Sequence, residues 1–263
     1  MRLFSVRTAR IMAIAALMAA LGACGASTPE NAEADNYDAA NFGYMRAPEV
    51  TSVAVTATGE LLVTGMARPQ VRVRLTGLNG QAYGVTSGAD GRFQASLPQA
   101  SGGSIYDLAM ESEGRLLKAE GRLFVPPSTD IGAPPRSVLL RAGAASLPIW
   151  PQAGLLSVVD FDAGGAIAVA GRTQPGATVD VEIDGQSAAE ARAGEDGVYV
   201  AIVPLPGGFV SRGVTIGVHS RDRFETRQIA LRRPEGERIQ QVGNGWYVAW
   251  QAPGNAAQTT VVF

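Results

Sequence analysis

The sequence predicts an all-β protein that contains two copies of one module. Short apolar segments rich in valine, isoleucine and leucine alternate with turn residues along a chain of 263 residues, which includes 32 glycines and 15 prolines. No long helical periodicity follows residue 24, and the same residues recur at a spacing of 106. Many short strands separated by turn residues are typical of β-sandwiches and barrels.

The N-terminal segment has the features of an export signal. Arg2, Arg7 and Arg10 precede an apolar run of 13 residues, 11–23. A helix that spans a bilayer needs about 20 apolar residues, so this run is too short for a transmembrane anchor. A basic start, a short apolar stretch and small residues at its end predict a secretory signal peptide over residues 1–23.

The signal ends in Leu21-Gly22-Ala23-Cys24, which resembles the lipobox of bacterial lipoproteins. The resemblance implies that Cys24 carries the lipid and anchors the protein to a membrane; the alternative is an ordinary signal peptide with an incidental cysteine. Gly25 stands where an aspartate would favour retention in the inner membrane, so the resemblance implies the outer membrane, facing either the periplasm or the cell exterior. Cys24 is the single cysteine, which excludes an intramolecular disulfide.

Residues 24–47 are predicted to form a lipidated, disordered tether, because they offer few apolar side chains for a core. Four acidic residues lie in this segment: Glu30, Glu33, Asp35 and Asp38. The whole chain has 22 basic and 24 acidic residues and a net charge of −2, which gives no footprint for nucleic acid.

An internal repeat organises the remainder of the chain. The spacing of 106 relates Gly65 to Gly171, Pro69 to Pro175, Gly88 to Gly194, Asp90-Gly91 to Asp196-Gly197, and Phe93 to Tyr199. It predicts module 1 over residues 48–126 and module 2 over 154–234. Residues 127–153 become a linker, and residues 235–263 a tryptophan-containing C-terminal tail that ends in a strand.

Each copy is predicted to have seven short strands, with a tight turn at Asp-Gly before the fifth. The run from Val169 to Val181, with Gly171 and Pro175-Gly176, followed by Gly194-Glu-Asp-Gly-Val-Tyr199, resembles bacterial Ig-like domains. The first copy departs from that pattern at Pro69-Gln70-Val71. The resemblance implies two tandem Ig-like β-sandwiches, a fold typical of stalks, spacers and adhesive units, and it identifies no ligand.

The C-terminal strand needs a partner. Trp250-Gln-Ala-Pro-Gly254 echoes Trp150-Pro-Gln-Ala-Gly154, the segment that leads into the second module, so residues 259–263 look like the first strand of a module that does not follow. An unpaired edge invites association. We expect the strand to pair within the chain, with addition to a partner's sheet as the alternative.

One face of the second module is apolar where a solvated sheet would be polar. The fifth strand turns Arg92, Gln94 and Ser96 outward in the first copy, but Val198, Val200 and Ile202 in the second, beside Ala166, Ala168 and Ala170. A contiguous apolar patch implies a cover or a partner. We predict that the tail, through Trp246, Val248 and Trp250, folds over it; the alternative is an interaction patch of Val198, Val200, Ile202, Trp246 and Trp250 for an envelope protein.

Few residues suggest chemistry. His219 is the single histidine and is predicted to face outward, so neither a Ser-His-Asp set nor a histidine-rich metal site can form. Candidate carboxylates for hydrolysis are Asp160, Asp162, Asp180, Glu182 and Asp184. Asp160 and Asp162 could also contribute to a calcium site between the modules. Arg72 and Arg74 occupy a face that is acidic in the second copy, which would allow docking by charge.

These observations predict a non-enzymatic outer-membrane lipoprotein that acts as a spacer or a protein-binding component of a cell-envelope assembly, with no cofactor. Its expected partners are the membrane, through the lipid, and an envelope protein of unknown identity. One alternative is a surface adhesin or carbohydrate-binding module that uses exposed tryptophans. The other is a carboxylate-based hydrolase.

Overall fold

The computed structural model describes residues 46–128, 133–205, 211–232, 236–252 and 257–263. The predicted signal peptide, Cys24 and the predicted tether lie outside these residues. Every regular element in the described part is a β-strand, as the sequence predicts. A search of the same residues for a helix of sufficient length and apolar character to cross a membrane finds none.

The first half of the described chain forms two sheets. Its nine strands are β1 (Glu49–Val55), β2 (Leu61–Met66), β3 (Arg72–Gly77), β4 (Ala82–Thr86), β5 (Arg92–Leu97), β6 (Ser104–Ser112), β7 (Arg115–Val125), β8 (Val138–Arg141) and β9 (Leu147–Pro148). Sheet A has the order β1-β2-β5, and sheet B has the order β4-β3-β6-β7-β8-β9. The last two strands come from the predicted linker, which therefore widens sheet B.

The second half repeats this plan. Its ten strands are β10 (Val158–Asp162), β11 (Ala166–Arg172), β12 (Thr178–Ile183), β13 (Gln186–Arg192), β14 (Val198–Pro204), β15 (Arg212–Ser220), β16 (Arg223–Leu231), β17 (Arg238–Val242), β18 (Gly245–Gln251) and β19 (Ala257–Val262). Sheet C has the order β14-β11-β10-β19-β18-β17, and sheet D the order β13-β12-β15-β16. Here the predicted tail supplies three strands of sheet C.

Both modules are Ig-like sandwiches. In each, the first, second and fifth strands form one sheet, and the third, sixth and seventh strands form the facing one. The fourth strand pairs with the third, so it belongs to the second of these sheets, whereas in a constant-type Ig domain it pairs in the first. All pairings are antiparallel within this arrangement, and β5 of sheet A shows a strict alternation of buried and solvent-facing residues.

The inward residues expected from period-two alternation form the module cores. In module 2 the core brings together both sheets of the sandwich, with Val169, Val181, Tyr199, Ile216 and Leu231 among its members. The matching positions of module 1 include Val63, Leu75, Phe93 and Leu108. Alternation predicted these faces correctly because each sheet has one side in its own sandwich.

The repeated glycines mark a close approach of the backbone. A Cβ atom on Gly171 would lie 2.0 Å from the carbonyl oxygen of Leu155, and one on Gly65 would lie 2.2 Å from that of Glu49. The aromatic ring of Phe93 also lies over Gly65. In the second module the hydroxyl of Tyr199 donates a hydrogen bond of 2.6 Å to the Leu155 carbonyl. An aromatic residue paired with a glycine thus fixes the start of each sandwich.

Replacement of Gly171 by alanine should destabilise the protein by about 2 kcal/mol or more, because its Cβ would overlap backbone rather than a movable side chain. Urea unfolding of the variant measures this loss. Gly213→Ala is the matched control, since its Cβ would meet nothing closer than 3.9 Å. Equal stability of the two variants would contradict the close approach at Gly171.

Candidate functional site

The apolar face predicted on the second module exists. Strand β14 lies at one edge of sheet C, and its residues Val200 and Ile202 are paired with Ala170 and Ala168 of β11. These four side chains share one face, the face of sheet C that points away from the core of its own sandwich. The alternation of side chains along β11 and β14 was therefore sufficient to predict an apolar outer surface on sheet C.

The prediction that the tail folds over this face is wrong. Strand β19 pairs with β10, and β18 pairs with β19, so the tail extends sheet C from its other side. One row across the sheet runs Val200, Ala170, Val158, Val262 and Trp246. The open edge of β10 offers backbone hydrogen bonds that a covering segment could not use, so the tail widens the apolar face. The expected pairing of the last strand within the chain is confirmed.

The outer face of sheet B covers the outer face of sheet C. Apolar side chains of both sheets form a third core between the modules: Ile105, Phe124, Val138 and Leu140 from one side, and Val158, Ala170, Val248, Trp250 and Val262 from the other. Within residues 46–263, the described strands thus form a stack of four sheets in the order A, B, C, D. The two modules are therefore not independent units joined only by a linker, because they share a core.

The tryptophans belong to this third core. Trp250 is 1% exposed and Trp150 is 5% exposed. Trp246 is half-buried against the same core, with its ring centroid 6.5 Å from that of Phe124. The described residues therefore hold no solvent-facing platform of tryptophans, which was the feature required by the carbohydrate-binding alternative. Ile202, at 60% exposed, remains outside the contact.

A buried carboxylate sits at the centre of the contact. Asp160 is 3% exposed and lies on the outer face of sheet C, in the row of Ile202, Ala168 and Thr260. Its oxygens accept hydrogen bonds from the backbone N–H and the hydroxyl of Ser146, at 2.5 and 2.8 Å. Ser146 lies just before β9, so Asp160 ties the segment between β8 and β9 to the second module.

The network continues into the tail. The hydroxyl of Thr260 donates to Asp160 and accepts a hydrogen bond of 3.0 Å from Nε1 of Trp250. Burial raises the pKa of Asp160 to about 6, although the hydrogen bonds from Thr260 and Ser146 favour its ionised form. The two residues that donate these hydrogen bonds, Ser146 and Thr260, are themselves buried between the modules. The arrangement suits a structural polar lock, because both oxygens of Asp160 accept hydrogen bonds. Asp160 also lines a small cavity of about 130 Å³ together with Asp162 and Ile202.

Charged groups close the rim of the contact. The guanidinium of Arg122 on β7 bridges Asp107 of its own module and Glu237, which precedes β17. Arg136 donates a hydrogen bond of 2.8 Å to the carbonyl of Asn244 in the turn between β17 and β18. Both contacts fix the tail hairpin against module 1. Docking of the modules therefore rests on an apolar face with a charged rim, and not on the faces of Arg72, Arg74 and Asp180.

Two of the other predicted candidates lie together, since Nε2 of His219 is 3.3 Å from a carboxylate oxygen of Glu182 on the neighbouring strand. His219 faces outward, as predicted, stacked on Phe224 with ring centroids 4.1 Å apart. Asp162 accepts a hydrogen bond from the N–H of Gly164 in a turn. A hydrogen bond from the N–H of Thr215, together with Arg212, lowers the pKa of Asp184. Across the described chain, no three histidine, cysteine or acidic residues lie together in a way that could hold a metal ion.

The described residues also form a groove that the sequence did not reveal. Two adjoining cavities, of about 520 and 690 Å³, share Val242, Gly245 and Phe263 in their walls. One wall is strand β16 at the edge of sheet D, and the floor is the inner face of β17 and β18. One signal in the sequence pointed to this groove. If Trp246, Val248 and Trp250 face one side of an extended strand, Tyr247 and Ala249 must face the other side, which lies where sheet D ends.

Comparisons with known proteins leave the function open. No protein-family profile matches the sequence, and no curated protein is detectably similar to it. Three solved structures share limited similarity. The BSP domain of a biofilm-associated protein is 13% identical, with 71% of this chain and 29% of that chain covered and a TM-score of 0.23. Invasin, a bacterial integrin-binding protein, is 11% identical, with 82% and 54% covered and a TM-score of 0.24.

The third, a titin fragment, is 11% identical, with 72% of this chain and all of that chain covered and a TM-score of 0.21. The chain spans less than two thirds of the first two proteins. At such identities and TM-scores none of these similarities carries an argument about function. The assignment of two Ig-like sandwiches rests on the strand order given above.

The buried carboxylate predicts how stability depends on pH. The pKa of Asp160 is about 6 in the folded protein and about 3.9 in an unfolded chain, so the folded state binds more protons between these values. Its contribution to stability is complete below pH 4 and is lost as the pH rises through 6. We expect the free energy of unfolding of the wild type, relative to that of Asp160→Asn, to fall from pH 4 to pH 7. A difference that stays constant in urea titrations across this range would contradict the assignment.

The third core predicts unequal roles for two residues of one predicted patch. Trp250→Ala should cost about 3–5 kcal/mol, because it removes a fully buried side chain and leaves a cavity. Ile202→Ala should change stability by less than about 0.5 kcal/mol, because that side chain is mostly in solvent. Thermal and urea unfolding of the pair test this contrast, and similar losses for both would argue against the third core.

Proposed function

We propose that this protein is an outer-membrane lipoprotein whose folded part is a non-enzymatic, protein-binding component of a cell-envelope assembly. The lipobox at Leu21–Cys24 supports the anchor. The observation that carries the binding role is the groove beside β16, where the edges of two sheets remain unpaired within the described residues. Unpaired strand edges are templates for another chain.

The third core favours binding over spacing. Modules that act as a stalk gain reach when they are placed end to end, whereas a sheet stacked on another sheet adds only about 10 Å. Here a shared apolar core and the Asp160 lock join the modules face to face. Such a block suits the presentation of a rigid surface. The tether before it, rather than the modules, would then provide distance from the membrane.

The polar groups of the molecule are better suited to structure than to catalysis. Asp160 and Asp162 line one cavity, but it holds only about 130 Å³, and Asp160 accepts hydrogen bonds from Ser146 and Thr260. Asp184 is held by Arg212 and Thr215. Asp180 and Glu182 lie on β12, away from the groove. A hydrolase would need two carboxylates that face each other across an open site. These placements are the basis on which we prefer a binding role to the hydrolase alternative.

Lipidation is tested by labelling cells with a radioactive fatty acid and separating their membranes. The wild type should carry label and require detergent for release, whereas Cys24→Ser should lose the label and appear in the aqueous fraction, because a lipid chain supplies about 0.8 kcal/mol per buried methylene. Ser27→Ala is a control outside the lipobox. Label on the Cys24→Ser variant, or release of the wild type without detergent, would refute the anchor.

The binding role is tested with a photo-crosslinking amino acid placed at Val242 in the groove, which is 51% exposed. In intact cells it should form one discrete adduct, while the same probe at Arg74 on module 1 should form none. Adducts of equal yield and size from both positions would count against the groove as the binding surface. This comparison does not depend on lipidation, so the two parts of the proposal can fail separately.

A further inference from the structure

The groove exists because the two sheets of module 2 differ in width. Sheet C has six strands and sheet D has four, because the tail contributes three of the six strands of sheet C. The inner faces of β17 and β18 therefore continue past β16, the last strand of sheet D. Tyr247, Ala249, Gln240 and Val242 line this overhang. The floor of the groove is a sheet surface that no strand of the described residues covers.

The wall of the groove offers backbone hydrogen bonds. Ser220 and Arg223 pair across a two-residue turn, and pairing continues along β15 and β16. In an antiparallel ladder, alternate residues exchange their backbone bonds with the neighbouring strand, and those between them point the other way. Counting from Arg223, the backbone groups of Thr226, Gln228 and Ala230 point away from β15. Gln228 and Ala230 line the groove.

The shape of the groove matches an extended chain. The two cavities follow β16 from Glu225 to Arg232. Eight residues of a strand span about 27 Å at the usual rise. That length exceeds the need of a compact small molecule and suits a peptide laid beside the strand. The ring of Tyr247 lines the groove and offers an apolar surface to such a peptide.

The positive charge of the groove favours an acidic ligand. The cavity of about 520 Å³ carries Arg232 and Arg238 and no acidic side chain among its described lining residues. Both arginines are exposed, and neither forms an ion pair within the described chain. The adjoining cavity adds Arg136 and Arg227, and its one acidic residue, Glu225, already accepts hydrogen bonds from the N–H groups of Leu155 and Leu156.

From these features we propose that the groove binds an extended, acidic segment of another polypeptide, which adds to the edge of β16 as a fifth strand of sheet D. This inference rests on the proposed binding function and names the chemistry of the partner. Apolar side chains on one face of the segment pack on Tyr247 and Val242, and carboxylates on the segment pair with Arg232 and Arg238. Backbone bonds provide affinity, and the alternation of side chains provides selectivity.

The test uses the mature chain with Cys24→Ser and three fluorescein-labelled synthetic peptides. The first alternates glutamate with valine and tyrosine, the second has the same composition in two blocks, and the third has lysine in place of glutamate. Fluorescence anisotropy should show binding of the first, and weaker binding of the other two by at least about tenfold. Absence of binding by the alternating acidic peptide would overturn the proposal, whatever the result of the lipidation experiment.

Two variants separate the backbone contribution from the charge contribution. Arg238→Glu should weaken binding by at least about tenfold, whereas the exposed Arg74→Glu on module 1 should leave it unchanged. Gln228→Pro removes an N–H that is not part of the β15–β16 ladder, so it should abolish binding with little effect on the fold. Circular dichroism and thermal unfolding confirm that each variant is folded before its affinity is compared.

Hydrogen exchange and two competitors decide between strand addition and other occupants. The acidic peptide should protect the amides of Thr226, Gln228 and Ala230 from exchange. Competition by laurate without protection of these amides would assign the groove to an anionic amphiphile and overturn the proposal. Dimerisation in sedimentation runs that is lost in Gln228→Pro would assign the edge to a second copy, which also overturns it.

Discussion

The contact between sheets B and C is the constraint on which the remaining structure depends. Each Ig-like sandwich could bury its own core, but the outer faces of these two sheets are apolar and need a cover. Each face covers the other. Sheet B is widened for this purpose by the segment between the modules, and sheet C by the tail, so that Trp150, Trp250 and Phe124 meet in a third core. Asp160 and Ser146 then lock the two halves with polar contacts that have specific geometry.

The divergence of the two copies follows from this contact. At the repeat spacing of 106, Ala54 of β1 is equivalent to Asp160 of β10. The polar residues of β5 are likewise equivalent to apolar residues of β14: Arg92, Gln94 and Ser96 correspond to Val198, Val200 and Ile202. Sheet A faces solvent on its outer side, whereas sheet C faces another sheet. The inner residues remain similar because in both modules they pack between the two sheets of their own sandwich. The outer residues differ because the two sheets lie at different depths in a stack of four.

The extension of sheet C that covers module 1 also creates the groove beside β16. Strands β17 and β18 extend sheet C to cover module 1, and the same extension carries their inner faces past the last strand of sheet D. Trp250 and Val248 face the third core, and Tyr247 and Ala249 on the same strand face the groove. A single strand thus serves stability on one face and, as we propose, recognition on the other.

The sequence by itself determined the strands, the two-module repeat, the inward faces and the Asp-Gly turns, because these features depend on local alternation and on backbone conformation. It also located an apolar face around Val200. It could not decide what covers that face, since Trp246, Val248 and Trp250 would be apolar whether they lay above the sheet or beside it. Only the tertiary structure decided that they lie beside it. The reason is that the open edge of β10 lets the tail satisfy its backbone hydrogen bonds and still bury its side chains against sheet B.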